Sequence, residues 1–527
     1  MSVAKVLLFT ALAAPLAMLL ACVSRRVRDR MPSLLTLAPA PALIAALVAP
    51  AGTTLVLPEP PFRMTLALDA PGAMLLGVGA LLWIVAGAYA SPYLRSDPNA
   101  GRFAEWWLLT LAGNLGVFIA ADLVSFYLTF SVVSLAAWGL IAHDSTSGSR
   151  RAGVIYVALA VLSEAFLLMA FVFMAQAIPD GSLLIRHAVA ALPASPWRNA
   201  SLVLLILGFG LKIGLVPAAA VLSGAAVKSG VIGLIRFMPL GFAMPEWGEA
   251  LAAAGIFSAF YGVLVGITQR NPKTVLAYSS VSQMGLLAAA LGMGLAAGDI
   301  GAAPGVSFSA AYHVLAKGAL FLAIGVSAAA GPRLWPVLIP AAVVALGLGG
   351  LPLTGGMLAK LAVKTQFGGG VVGALATLSA VASTVLMLHF LRCLVRTTTG
   401  DRAPAAPAAL MRPWLVLASA AVAVPWILYP TTEGGSLLSA VAPATLWSAL
   451  WPVLLGALLA VWLWRWGDRL PRLPAGDVVV VGEAAVRAAV PWGAAIERAD
   501  GYLRQWPMAS LLLLTLVIIL GAMLAWG

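Results

Sequence analysis

LLILGFGLKIGLVPAAAVLSGAAVKSGVIGLIRF, residues Leu204 to Phe237, is apolar enough to lie in a bilayer, yet it holds Lys212 and Lys228 away from either end with Gly214 and Pro217 between them. An ammonium at the centre of a membrane helix costs roughly 2.5 to 3.5 kcal/mol even on lenient insertion scales, so two in one hairpin require a reason. Ion or proton conduction is the first. The second is a lysine whose flexible stem carries its charge back to the headgroups. Lys212 lies about eight residues, or about 12 Å of helix, from any end this sequence allows, which is too deep for that escape.

Composition extends the reading to the whole chain. With 62% hydrophobic and 9% charged residues and a mean hydropathy of +1.01, the 527 residues describe a polytopic membrane protein with no soluble core. The net charge of +12 comes from basic residues scattered through short loops, not gathered on one face, which argues against nucleic acid as a partner. Cys22 and Cys393 stand far apart with no CxxC or Cys/His spacing, so neither a metal site nor a disulfide framework is indicated. No nucleotide loop or flavin fingerprint is present, and no cofactor is expected. The first apolar stretch, Val6 to Val23, runs into Arg25, Arg26, Arg28 and Arg30 without a small-residue cleavage site, and reads as a retained span.

Apolar runs long enough for a 30 Å core are expected near residues 4–23, 34–56, 70–94, 104–121, 123–142, 152–177, 200–217, 219–242, 248–268, 274–297, 304–329, 336–358, 370–395, 412–430, 439–464 and 508–526. The loops test that count. Those after odd-numbered spans carry the basic residues, among them Arg95 and Arg102, Arg150 and Arg151, Arg270 and Lys273, and Arg396 and Arg402. Those after even-numbered spans are poor in them, Arg186 and Arg198 excepted, which puts both termini outside.

Lysine and arginine divide the labour. Five of the seven lysines, Lys212, Lys228, Lys317, Lys360 and Lys364, fall inside or at the ends of apolar spans, whereas the arginines sit mostly in loops. Arginine keeps its charge and suits a topology anchor; a buried lysine gives up its proton more easily and suits a relay. In AYHVLAKGALF, residues 311–321, His313 and Lys317 are four apart and share a helix face, so a proton can pass between them. A histidine bonded to a carbonyl within a bundle is the plainer reading of His313 taken alone. In GGLPLTGGMLAKLAVK, residues 349–364, Gly350 and Pro352 interrupt a helix just before Lys360, and broken membrane helices are tolerated where backbone lines a cavity. Two breaks beside two lysines point to inverted repeats, five-span units at 104–242 and 248–395, after an N-terminal segment 1–103 and before a C-terminal segment 396–527.

The runs LGFGLKIGLVP, AAVLSGAAVKSGVIGLIRF, NPKTVLAYSSVSQMG, YHVLAKGALFLAIG and GLPLTGGMLAKL, in that order, resemble the antiporter-like membrane subunits shared by respiratory complex I, membrane-bound hydrogenases and Mrp sodium/proton antiporters. The resemblance covers residues 65 to 400 or so, and it implies about fourteen core helices with two inverted five-helix repeats plus extra transmembrane helices. It also implies roles. Lys212 would be the lysine of the first broken helix, Lys228 the relay lysine of the next, His313 and Lys317 the central relay of the second unit, and Lys360 the exit-side lysine.

Three departures stand out. Where the family has a glutamate in the fifth span, DLVSFYLTFSVVSL places Ser131, and Glu164, in the otherwise apolar VLSEAFLL of the sixth span, is the candidate replacement partner for Lys212. A structural hydrogen-bonding role is the alternative for Glu164, and Asp122, at a span boundary, is expected to be an interfacial or capping residue, not a relay member. Between Pro217 and Ala218 the family's further half-helix and Trp-Leu-Pro loop are missing, which makes the second half, around His313, Lys317 and Lys360, the firmer conducting unit. After residue 464 comes an amphipathic stretch, about 478 to 505, expected to lie along the inner surface before a final span; it resembles, in shortened form, the lateral helix of the distal complex I subunit.

The expected function is proton translocation, with sodium as a candidate counter-ion, in a subunit of a multisubunit complex in the bacterial inner membrane. An Mrp-type antiporter is the first reading. The alternatives are a redox-driven pump subunit, the membrane partner of a soluble inorganic-carbon uptake protein, a solute carrier, and a structural subunit whose lysines no longer conduct. Expected partners are other membrane subunits, a soluble subunit on the cytoplasmic face, and the lipid bilayer.

Overall fold

A computed structural model describes residues 2–57, 63–144, 146–178, 181–215, 225–330, 335–396, 407–432 and 435–466, all within the compact unit Met1–Ala475. The chain begins with α1 (Val3–Ala21), α2 (Arg25–Arg30) and, after a 3-10 turn, α3 (Ala40–Val48). A two-stranded ribbon, β1 (Thr54–Leu57) and β2 (Met64–Ala67), precedes the long helix α4 (Ala70–Tyr93). Then come α5 (Ala100–Ile119), α6 (Leu123–Ile141), α7 (Ser147–Gln176), the short α8 (Ile185–Ala191), α9 (Arg198–Ile213) and α10 (Ala225–Phe237). The second half holds α11 (Pro245–Gly266), α12 (Pro272–Ala297), α13 (Ala302–Ala328), α14 (Trp335–Gly349), α15 (Gly355–Phe367) and α16 (Val371–Val395), followed by α17 (Ala408–Leu428), the single-turn α18 (Leu437–Ala440) and α19 (Pro443–Trp466). Among the described residues ten helices are long and apolar enough to cross a membrane, and shorter or more polar helices pack between them, as an all-α polytopic membrane protein requires.

Besides the span 336–358, interrupted at the expected break between α14 and α15, the expected span 34–56 does not form as a single helix. Residues 34–56 divide into turns, the nine-residue α3 and the strand β1. Pro39 and Pro41 remove amide donors and delay the helix, while Pro50, Gly52 at φ +87° and the β-branched Thr53, Thr54 and Val56 turn the chain into an antiparallel ribbon that pairs Thr54 with Ala67. The amphipathic stretch and the final span expected near 508–526 lie outside the described residues.

Contacts between connecting segments agree with the alternation of basic and neutral loops. On the side rich in arginine, Arg28 pairs with Glu105 at 3.6 Å, His143 with Asp97 at 2.7 Å, and His389 with the Gln269 carbonyl at 2.7 Å. The hydrogen bond from His143, with the Asn99 amide beside it, holds the Asp97 carboxyl below its usual range, so the pair stabilises the fold near neutrality and its contribution fades as acid protonates Asp97. On the opposite side Arg236 meets Asp69, Trp247 donates to Asn199, and Gln366 donates to Asp299. Segments of equal parity meet each other, as the odd-and-even reading of the loops requires.

That opposite side has its own lock. Asp69 caps α4, accepting from the Gly72 amide at 2.7 Å, and Asp122 caps α6 through the Ser125 amide at 2.8 Å while accepting the Thr65 amide of β2 at 2.6 Å. Asp122 is thus the capping residue expected. The guanidinium of Arg236, near the end of α10, donates to both Asp69 carboxylate oxygens and to the carbonyls of Val117, Phe118 and Ala120 at the end of α5. It places positive charge where the α5 dipole is negative and joins α4, α5 and α10 at one point.

In the second half, α11 and α12 meet along glycines seven apart: Gly248 faces Gly292, Gly255 faces Gly285, and Gly262 faces the backbone at Tyr278 and Ser282. A methyl added at Gly255 would stand 2.5 Å from the Gly285 carbonyl oxygen, so only glycine permits backbones this close.

Candidate functional site

The two sequence breaks take the same local form. α9 ends where Gly214 adopts φ +82°, and α14 ends where Gly350 adopts φ +103°, left-handed values that glycine reaches without strain. Pro217 lies outside the described residues; Pro352 sits in the turn between α14 and α15. Leu353, in that same turn, has φ +63°, the one described non-glycine residue with a positive value. Ending α14 in mid-protein frees its last carbonyls, and the Lys360 ammonium, one turn into α15, donates to the Gly349 oxygen at 2.7 Å. The break therefore makes the seat for the lysine.

Lys317 is fully enclosed on α13 and donates to the Leu276 carbonyl of α12 at 2.9 Å, an oxygen that also accepts the Ser280 hydroxyl at 3.2 Å. Lys228 of α10 is buried as well, and the two lysines line one cavity of about 100 Å3 together with Trp83, Asn114 and Ser280. Trp83 donates to the Asn114 side chain at 3.0 Å, which fixes the amide at the cavity wall. One turn along α13 from Lys317, both nitrogens of buried His313 have no hydrogen-bond partner among the described residues. His313 and Lys360 line a second cavity, about 20 Å3, with Gln283, Ser309 and Tyr312. A space of that size has room for about one water, and buried polar groups left without protein partners are normally satisfied that way. Beyond Lys360 a third cavity of about 280 Å3 opens along α15, α16 and α19. Lys228, Lys317, His313 and Lys360 thus form one succession, neighbouring groups sharing a cavity or a helix face.

Lys212 stands apart and lines none of these three cavities. It is 1% exposed, its ammonium has no hydrogen-bond partner among the described residues, and it lies 5.0 Å from the centre of the Phe130 ring. Glu164 of α7, buried, acts on it electrostatically without a direct ion pair, and Ser131 and Ser134 of α6 lie on the Glu164 side. Ser163 ties α7 to α9 through the Gly208 carbonyl at 2.8 Å, which sets Glu164 in register with Lys212.

The site also uses residues the sequence reading passed over. Asn114 is a lone amide in an apolar helix, and the rule that singled out the lysines, a polar group at membrane depth, applies to it equally. Ser280 and Gln283 lie inside the quoted NPKTVLAYSSVSQMG run, and Gln283 donates to Ser383 of α16 at 2.9 Å. Among the described residues no cluster of metal-ligating side chains occurs.

A family model described as NADH:quinone oxidoreductase/Mrp antiporter, TM, matches residues 120–386, just over half of the chain and the stretch that holds every lysine of the succession. The chain belongs to this family. Hydrogenase-4 component B of Escherichia coli (strain K12) is 29% identical over 52% of this chain and 45% of its own length. NADH-quinone oxidoreductase subunit N of Desulforudis audaxviator (strain MP104C) is 31% identical over 52% of this chain and 58% of its own. The alignments therefore span about half the length of these curated relatives. The fold also matches a chain in the structure of the Mrp complex from Dietzia sp. DQ12-45-1b, with a TM-score of 0.79 at 22% identity, over 100% of this chain and 63% of that one.

Proposed function

We propose that this chain is a proton-translocating subunit of a multisubunit complex in the bacterial cytoplasmic membrane, most simply an Mrp-type cation/proton antiporter. The observation that carries the reading is the run of buried Lys228, Lys317 and His313 and half-buried Lys360, joined by cavities and a shared helix face. Titratable nitrogens at membrane depth, with space for water between them, are what a proton needs to cross without a continuous pore. The runs 104–242 and 248–395 are the two five-helix units, each holding one broken helix. The relatives named for hydrogenase and NADH-quinone oxidoreductase favour a second reading, in which redox chemistry in a partner drives the same relay. Partners on either reading are other membrane subunits, with a soluble subunit on the face that carries the arginine-rich loops.

The two readings separate in inverted vesicles containing the intact complex. With a pH gradient established, an added pulse of sodium or another alkali cation is expected to collapse it. A gradient indifferent to every alkali cation, but generated when a redox donor is supplied, would replace the antiporter reading with the second.

In the first unit, Glu164 is the carboxylate that answers to Lys212. Glu164→Gln keeps the shape and removes the charge, and it is expected to lower proton flux several-fold while the complex assembles normally. Wild-type flux in that variant would make Glu164 a structural residue.

A further inference from the structure

The cavity of about 280 Å3 begins at Lys360 and the Gly349–Gly350 turn and reaches Gly368 and Gly373 beside an exposed turn. Its walls come from α15, from α16 at Thr377 and from α19 at Ser448 and Trp451. Helix α16, of 25 residues, is about 37 Å long, enough to cross the membrane; it starts beside Gly373 and ends at Arg392 and Arg396. The mouth of the cavity is therefore on the face opposite the arginine-rich loops, the outer face by the positive-inside rule.

The charge of the lining is one-sided. Lys360 and Lys364, four residues apart on α15, both line it, and among the described residues no carboxylate does. Asp299 lies on the same face, where it accepts the Gln366 amide at 2.9 Å, and it is not part of the lining. Lys360 is seated on the Gly349 carbonyl, whereas Lys364 is exposed at the mouth.

We propose that this cavity is the outer vestibule of the relay and that Lys364 is its specificity-determining residue, a fixed positive charge that admits water and small anions and keeps hydrated alkali cations out. The inference rests on the relay reading above and adds to it that any exchanged metal cation takes another route. A proton released by Lys360 is taken up by hydroxide or water entering the cavity, a movement the Lys364 charge does not oppose; a hydrated sodium ion must pass that charge as a cation and meets its field as a barrier. The helix α19, C-terminal to both five-helix units, becomes a wall of the outlet.

The test uses right-side-out vesicles holding the intact complex, with Cys22 and Cys393 replaced by serine and one new thiol, Thr377→Cys or Ala449→Cys. Membrane-impermeant methanethiosulfonates of opposite charge are added outside. The anionic reagent is expected to react about tenfold faster than the cationic one, each rate taken relative to a small free thiol, since a focused field raises the local concentration of counter-charge by about that factor or more. Adding Lys364→Gln should remove most of the preference, and labelled Thr377→Cys should lose most of its proton flux. No reaction from outside, reaction from inside alone, or preference for the cationic reagent would overturn the proposal. Labelling with the expected preference but undiminished flux would overturn the vestibule as outlet and leave the relay standing. Full flux in Lys317→Ala would sink the relay reading itself and, with it, the outlet role given to the cavity.

Discussion

Replacing Lys317 by alanine is expected to reduce proton flux through the complex by at least tenfold, a barrier increase of about 1.4 kcal/mol or more. The residue is where the relay joins: its ammonium bonds the Leu276 carbonyl, it shares a cavity with Lys228, and it lies one helical turn from His313. Removing it leaves a gap with no titratable group between the two lysine-lined cavities. Lys317→Arg is the sharper variant. It keeps a positive charge at the same depth, but a guanidinium does not give up its proton, so flux should stay as low as in the alanine variant. Dye quenching in inverted vesicles, with the complex quantified in the same membranes, reads both. Wild-type flux in Lys317→Arg would mean that Lys317 serves as a fixed charge, not as a carrier.

Arg236→Ala should cost the fold roughly 3 kcal/mol, the scale expected when a guanidinium that satisfies several acceptors is removed from a mostly buried position. The side chain is 8% exposed, and its loss strips partners from Asp69 and from three carbonyls at the end of α5. Asp69 itself is 46% exposed and can turn to water, so the carbonyls dominate the loss. Arg236→Lys should recover little, because one ammonium cannot span a carboxylate and the helix end together. A clear fall in the melting temperature of the purified protein in detergent is the expected result; an unchanged melt would show that α4, α5 and α10 are held by packing alone.

The lysines were legible in the sequence because membrane depth makes charge conspicuous: Lys212, Lys228, Lys317 and Lys360 are buried or half-buried in the fold. The breaks were legible for the same kind of reason, Gly214 and Gly350 being residues that reach left-handed backbone without strain. The ribbon 54–67 was hidden by its composition, since Leu55, Val56 and Leu57 are as apolar as any helix and only the flanking Pro50 and Gly52 speak against one. Asn114 and Gln283 were missed because they carry no charge, and charge at membrane depth is what made the lysines conspicuous. What joins Lys228 to Lys317 is a cavity between α4, α5, α10, α12 and α13, and no spacing along the chain encodes a space among five helices.

The glycine seam between α11 and α12 bears on how such a protein can be made at all. The two helices follow one another across a connection of a few residues and meet backbone to backbone, so they can pair as soon as both have entered the bilayer. Helix α13 comes next in synthesis, bringing His313 and Lys317, and the carbonyl that receives the Lys317 ammonium is already in place on α12. The most costly polar groups of the second half thus arrive at a surface prepared to receive them. Variants that loosen the seam would be expected to appear first as chains lost to quality control during insertion, before any defect in transport could be seen.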